Sequence, residues 1–260
     1  CRPFEHGADV VWESTTKWLH GSGTTVGGIL VDGGTFPWEH ADYDELSGPN
    51  PAFGVDFVER YGEAAFANAV RQRALRTLGN QQSPFDAWQT IQGLETLPLR
   101  MQRHCENARD VAAFLRDHED VAWVSYPGFA DHPTHGNATR YLGSGGDGDE
   151  DSGTAGEYGG MVTFGLAAGF EAAKRTCEET RLASFLANIG DAKTLVIHPA
   201  STTHAQLSEA EQRAAGLRPE MVRLSVGIED AADVIADLDR AIGAATQSVS
   251  GTGHESGGER

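Results

Sequence analysis

The chain has 260 residues and a net charge of −18, from 38 acidic against 20 basic side chains. That length can bury one large core or two smaller ones, while the acidity excludes a nucleic-acid groove or an anionic membrane surface as a partner. No apolar run approaches the roughly 20 residues needed to span a bilayer, and the opening CRPFEHGADV lacks the apolar centre of a secretory signal, so the expected location is the cytoplasm.

In chain order, Val10-Val11-Trp12 predicts a short buried strand. A glycine-bearing loop, Glu13 to Gly23, precedes a second strand over residues 27–32, closed by Gly33-Gly34. Residues 35–54, rich in aromatic, Pro, Gly and acidic side chains, predict an ordered surface excursion. Val58, Tyr61, Ala65, Ala69 and Leu75 recur near the helical period and predict one helix over 57–78. Ser83 caps a helix that Pro84 and Asp86 favour in its first turn, running to about Gln92. Thr96 is the expected cap of a long helix over 97–118, with an apolar stripe of Leu97, Met101, Ala108, Val111, Ala112 and Leu115. His104-Cys105-Glu106 on that helix reads as packing plus solvated face. Beyond it come strands at 121–126, 161–166, 194–197 and 222–226. Helices are expected at 170–177, after the capping box Ser208-Glu209-Ala210-Glu211, and over 230–244. The glycine-rich acidic run 143–159 predicts a mobile loop, and residues 246–260 a disordered tail. The second half is thus α+β.

Cysteines at 1, 105 and 177 form neither a disulfide framework nor a CxxC metal site. His198 and His204 lack further ligand types nearby and read as structural, so no metal is expected. Lys17, Lys174 and Lys193 are the only lysines, and an acidic, lysine-poor surface suits a halophilic source, where salt screens self-repulsion. The start at Cys1-Arg2-Pro3, with a strand arriving at once, reads as a chain cut from something longer.

The chemistry concentrates at Ser14-Thr15-Thr16-Lys17. A lysine amine can hold a carbonyl cofactor covalently, and hydroxyls just before it suit a phosphate. The glycines at 21, 23, 27 and 28 let backbone pass close to a ligand.

The segment EHGADVVWESTTKWLHGSGTTVGGILVDGG resembles the lysine segment of the Cys/Met-metabolism, cystathionine gamma-synthase-like enzymes that use pyridoxal 5'-phosphate (PLP). Their pattern is approximately S-x-T-K-[YW]-x-x-G-H. Ser14, Thr16, Lys17, Trp18 and Gly21 match, while Ser22 stands where histidine is frequent. The resemblance continues through SPFDAWQTIQGLETLPLRMQRHCENA, NIGDAKTLVIHPASTTHAQLSEAEQRAAG and VRLSVGIED. It implies an α/β fold of the aspartate-aminotransferase-like type (fold type I). The end of the large PLP domain would occupy 1–95, an α+β C-terminal domain 96–245, and a tail 246–260. It implies PLP as cofactor, Lys17 as the covalent and proton-shuttling lysine, Ser14 and Thr16 as phosphate ligands, and Arg223 with Asn188 as holders of the substrate α-carboxylate. The excursion at 35–54 and the wording of NIGDAKTLVIHPASTTHAQLSEAEQRAAG lean toward the O-acetylhomoserine sulfhydrylase branch, with a gamma-lyase as alternative. The implied partners are an amino-acid substrate, a thiol, and further copies in a homotetramer built from dimers. Much of the cofactor site in such enzymes precedes this segment, so an inactive piece or an assembly partner is the remaining alternative.

Overall fold

The computed structural model describes residues 1–40, 43–142 and 157–252. Most of the glycine-rich run, 143–156, and the last part of the expected tail, 253–260, lie outside the described residues. The chain divides into two compact units. One holds residues 1–20 and 24–92, the other 21–23 and 93–260.

In the first unit, β1 (Val10–Ser14) pairs antiparallel with β2 (Gly28–Asp32), Val10 opposite Asp32 and Ser14 opposite Gly28. A single π-type turn, Thr15–Leu19, connects them on the β1 side. The strand expected to be buried is not covered among the described residues. Trp12 is 80% exposed, and Ile29, Leu30 and Val31 are also exposed. A two-stranded ribbon offers apolar side chains on both faces and supplies no layer to cover either.

The excursion does fold onto its own small core. Leu46, Phe57, Ala65 and Ala69 are buried there, with Trp38 and Phe66 packed against them, their rings stacked at 5.0 Å. The single helix expected over 57–78 is broken instead into α1 (Phe57–Tyr61), a 3-10 turn, α2 (Ala65–Val70) and a π turn, Arg71–Thr77. The break falls at Gly62, whose φ of 53° leaves the helical region.

The helix α3 (Pro84–Glu95) begins as read, with Ser83 Oγ accepting from the Asp86 N–H at 3.1 Å. Thr96 does not cap α4 (Leu97–Asp117). Its hydroxyl donates to Gly93 O and accepts from Arg100 Nε at 3.1 Å.

The second unit is built on a five-stranded sheet in the order β3-β4-β7-β6-β5. The strands are β3 (Val121–Ser125), β4 (Met161–Leu166), β5 (Ser184–Phe185), β6 (Leu195–Ile197) and β7 (Met221–Ser225). All pairings are antiparallel except β5–β6. Alternation fixes which face each residue serves. Val162, Phe164 and Leu166 of β4, with Val222 and Leu224 of β7, are buried in one core with α4, α6 (Gly169–Glu179) and α8 (Ala231–Thr252). Burying a side chain of that size contributes about 1.5–3 kcal/mol. Residues of opposite parity, Ser125, Thr163 and Arg223, lie in cross-strand register on the other face.

Two elements were not anticipated, β5 and α5 (His135–Leu142). The α7 helix (Glu209–Ala214) opens with the expected capping box, Ser208 and Glu211 bonding reciprocally. Helix α8 continues to Thr252, so residues 246–252 are helical rather than disordered. Ala245 is fully buried and Val249 packs on the core, which outweighs the low helix propensity of the Ser/Gly-rich sequence. Tyr158, within the run expected to be mobile, stacks on His135 at 5.3 Å.

Candidate active site

Ser14 ends β1, and Thr15 to Leu19 turn immediately away from it. Lys17 breaks the helical geometry of that turn, with φ −93° and ψ −134°. The turn is tied to the start of β2, since Thr15 N–H donates to Gly27 O at 3.0 Å. The Thr16 hydroxyl accepts from Gly27 N–H at 3.1 Å and lies 3.3 Å from Gly27 O. Ser14, Thr16 and Lys17 therefore stand together in the first unit, but Thr16 is engaged in bracing the turn. The neighbouring Thr15 hydroxyl was passed over in the sequence. It is buried and has no hydrogen-bond partner among the described residues.

A phosphate-bearing aldehyde fits these groups. The segment offers a lysine amine and three hydroxyls, of which Thr15 Oγ1 is buried and orphaned. No Asp or Glu occurs from Ser14 to Val31, in a chain where acidic residues outnumber basic ones almost twofold. A dianionic group meets no like charge within that stretch.

Asn188 and Arg223 are brought together in the second unit. Arg223 Nη2 donates to the backbone carbonyl of Asn188 at 3.4 Å. Burial lowers the Arg223 pKa, but a guanidinium stays charged at any physiological pH. No carboxylate among the described residues lies within salt-bridge distance of it. A planar fork without an acidic partner, on the face of the sheet away from the helices, suits two-pronged binding of a carboxylate.

The loop carrying Asn188 is itself anchored. Gly190 N–H donates to Ser225 Oγ, and Thr194 is held by the Glu229 carboxylate at 2.7 Å from its N–H and 2.9 Å from its hydroxyl. The Gly21–Gly23 turn belongs to the same unit, and Ala192 N–H donates to Gly21 O at 2.8 Å. Arg100 and Asp191, both buried, flank that turn. Neither was singled out in the sequence. The usable signal was Arg100 standing four and eight residues before His104 and Ala108, on the stripe that α4 buries.

His198 serves the fold. Its Nε2–H donates to Pro219 O at 2.7 Å, and its Nδ1 lies 2.8 Å from Ser201 Oγ. Burial lowers its pKa. His204 meets Thr203 instead. Among the described residues no three His, Cys, Asp or Glu side chains are grouped to hold a metal, and no helix is long and apolar enough to cross a membrane.

The chain is 46% identical over 242 residues to O-acetyl-L-homoserine sulfhydrylase 1 of Thermus thermophilus, covering 93% of this chain and 55% of the relative. It is 44% identical to a homocysteine synthase of Schizosaccharomyces pombe, covering 93% and 54%. A solved structure from Campylobacter jejuni, assigned as an O-acetylhomoserine (thiol)-lyase and containing pyridoxyl-lysine-5'-monophosphate, superposes with a TM-score of 0.82 at 37% identity, over 93% of this chain and 55% of that one. The chain spans about half the length of the curated relatives it matches. With residues 1–243 matched to its sequence profile, the chain belongs to the family of Cys/Met metabolism PLP-dependent enzymes.

Proposed function

We propose that the protein carries out γ-replacement on O-acetylhomoserine, joining it with sulfide or methanethiol to give homocysteine or methionine plus acetate. The observation that carries this reading is Lys17 in a hydroxyl-rich turn free of carboxylates, within a sequence 44–46% identical to sulfhydrylases and homocysteine synthases. Bound PLP supplies an electron sink for carbanion chemistry.

Lys17 holds that cofactor through its amine. Once released, Nζ would take a proton from the substrate Cα and then one from Cβ as acetate leaves from Cγ; the thiol would add at Cγ with loss of its own proton, and protons would return to Cβ and Cα. The Ser14 hydroxyl donates to the cofactor phosphate, and Thr16 shares that task while bracing Gly27. Arg223 grips the substrate α-carboxylate as a fork, and Asn188 assists it. In this reading residues 1–95 close the large cofactor domain and 96–245 form the C-terminal domain. The low lysine content and the charge of −18 support a halophilic protein. The family resemblance supports a tetramer built from dimers.

The test is product analysis with O-acetylhomoserine and sulfide. Sulfide-dependent homocysteine with stoichiometric acetate supports the proposal. Release of 2-oxobutyrate independent of sulfide would reassign the protein as a gamma-lyase.

A further inference from the structure

Strand β7 meets the loop that carries Asn188 at two points. Successive side chains of a strand face opposite ways. Arg223 and Ser225 therefore share the sheet face turned away from the helices, while Val222 and Leu224 fill the core on the other. Both reach the same loop. Arg223 Nη2 donates to Asn188 O at 3.4 Å, and Ser225 Oγ accepts from Gly190 N–H at 2.9 Å. The second bond is enclosed, since Ser225 is 1% exposed and Gly190 is buried. Gly190 has a φ of 78°, a left-handed backbone at the very residue that Ser225 holds.

The far end of the loop has its own anchors. Thr194 is bonded to Glu229, Gly227 N–H donates to Thr194 Oγ1 at 2.9 Å, and Ile228 N–H donates to Ala192 O at 2.9 Å. None of these bonds involves position 225. The Ser225 bond lies instead two residues from the carbonyl that Arg223 touches. A guanidinium has five N–H donors in a rigid fork on a flexible stem. Holding one donor on a fixed carbonyl limits how the fork can turn and leaves the others for a ligand.

We infer that Ser225 is a positioning residue for the α-carboxylate of the substrate, holding the Asn188 loop where its carbonyl orients the Arg223 guanidinium. This rests on the role proposed for Arg223. Without the Ser225 hydroxyl, the Gly190 N–H loses its acceptor, the loop relaxes, and the fork is misaligned for part of the time. The cost then falls on carboxylate binding and not on the cofactor.

The test uses Ser225→Ala, Arg223→Met and the double variant in the polypeptide as its gene encodes it, loaded with PLP. Two amines are titrated against the visible band of the lysine-bound cofactor. L-norvaline has an α-carboxylate and n-butylamine has none. In Ser225→Ala, norvaline is expected to bind roughly 10-fold more weakly, the share of about one hydrogen bond, while n-butylamine binds as in wild type. KM for O-acetylhomoserine rises by a similar factor, and kcat stays within about twofold. Added to Arg223→Met, the same substitution changes norvaline binding by less than about twofold, because two residues acting through one group are not additive. Ser225→Cys is close in size but a weak acceptor. It is expected to fall between wild type and Ser225→Ala, and it reads the same quantities where Ser225→Ala lacks native circular dichroism. Folded variants that bind norvaline as wild type does, or that weaken both amines equally, overturn the inference alone. So does a full Ser225→Ala loss that persists in the Arg223→Met background. Arg223→Met that binds norvaline as wild type does removes Arg223 from the carboxylate site, and the inference with it.

Discussion

Replacing Asp237 tests how the second unit is held together. Asp237 sits on α8 and is 7% exposed. Its carboxylate accepts from the N–H groups of Arg181 at 2.9 Å, Leu182 at 2.8 Å and Ala183 at 3.0 Å, just beyond the end of α6. Arg240 Nη2 adds a fourth bond at 2.7 Å and also reaches Glu179 O at the end of α6. Burial alone would raise the Asp237 pKa, but the backbone N–H bonds and the Arg240 guanidinium outweigh it and hold the pKa below the ordinary value of 3.8. In Asp237→Ala, the partly exposed donors recover water, at about 0.5–1 kcal/mol each, and the buried Ala183 N–H costs about 1–3 kcal/mol. The expected loss is about 3 kcal/mol, a large fraction of a typical 5–15 kcal/mol total. Urea unfolding followed by circular dichroism measures it. Because the folded pKa lies below the unfolded one, the contribution is complete above the unfolded pKa and is lost as pH falls through the folded pKa. The gap between wild type and variant is therefore expected to be constant from pH 5 to 7 and to narrow in stronger acid. A variant within 0.5 kcal/mol of wild type at pH 7, or a gap unchanged below pH 3, would refute this account.

Two further substitutions probe other parts of the molecule. Tyr126 is 1% exposed, its hydroxyl has no partner among the described residues, and burial pushes its pKa up. Tyr126→Phe should therefore be neutral or stabilising by about 1 kcal/mol in the same unfolding assay, and a loss above 1 kcal/mol would reveal a bond to that hydroxyl. Arg223→Met should raise KM for the amino acid roughly 100-fold, as expected for removing a fork from a buried carboxylate pair, whereas an unchanged KM would remove Arg223 from substrate binding.

The parts of the fold legible in the sequence are those governed by local rules. The strand Met161–Leu166 is a short, largely apolar run that follows Gly159-Gly160, and its bounds can be read directly. The reciprocal bonds of Ser208 and Glu211 need only their three-residue spacing. Other features depend on contacts that spacing does not encode. Thr96 lost its capping role because Arg100, one turn on, takes the hydroxyl. Helix α5 is only eight residues long, with Ala138 buried, and is pinned by His135 Nδ1 bonding Pro127 O at 2.8 Å. The extension of α8 rests on Val249 finding the core.

The same division runs through the site. Ser14, Thr16 and Lys17 are neighbours in sequence and stay neighbours in space. The Thr15 hydroxyl emerged only once the turn was folded and its burial known. The grip of Arg100 and Asp191 on the glycine turn joins residues about 80 and 170 positions apart, and periodicity carries no trace of that pairing.

The most direct test of the central claim is to load the protein with PLP, reduce it with borohydride, and map the covalent label by peptide mass spectrometry. The chain has three lysines, Lys17, Lys174 and Lys193, so the assignment is unambiguous. The expected result is stoichiometric label on Lys17 and none on the other two. Label shared among all three, or confined to Lys174 or Lys193, would contradict the assignment of Lys17 as the cofactor-bearing residue.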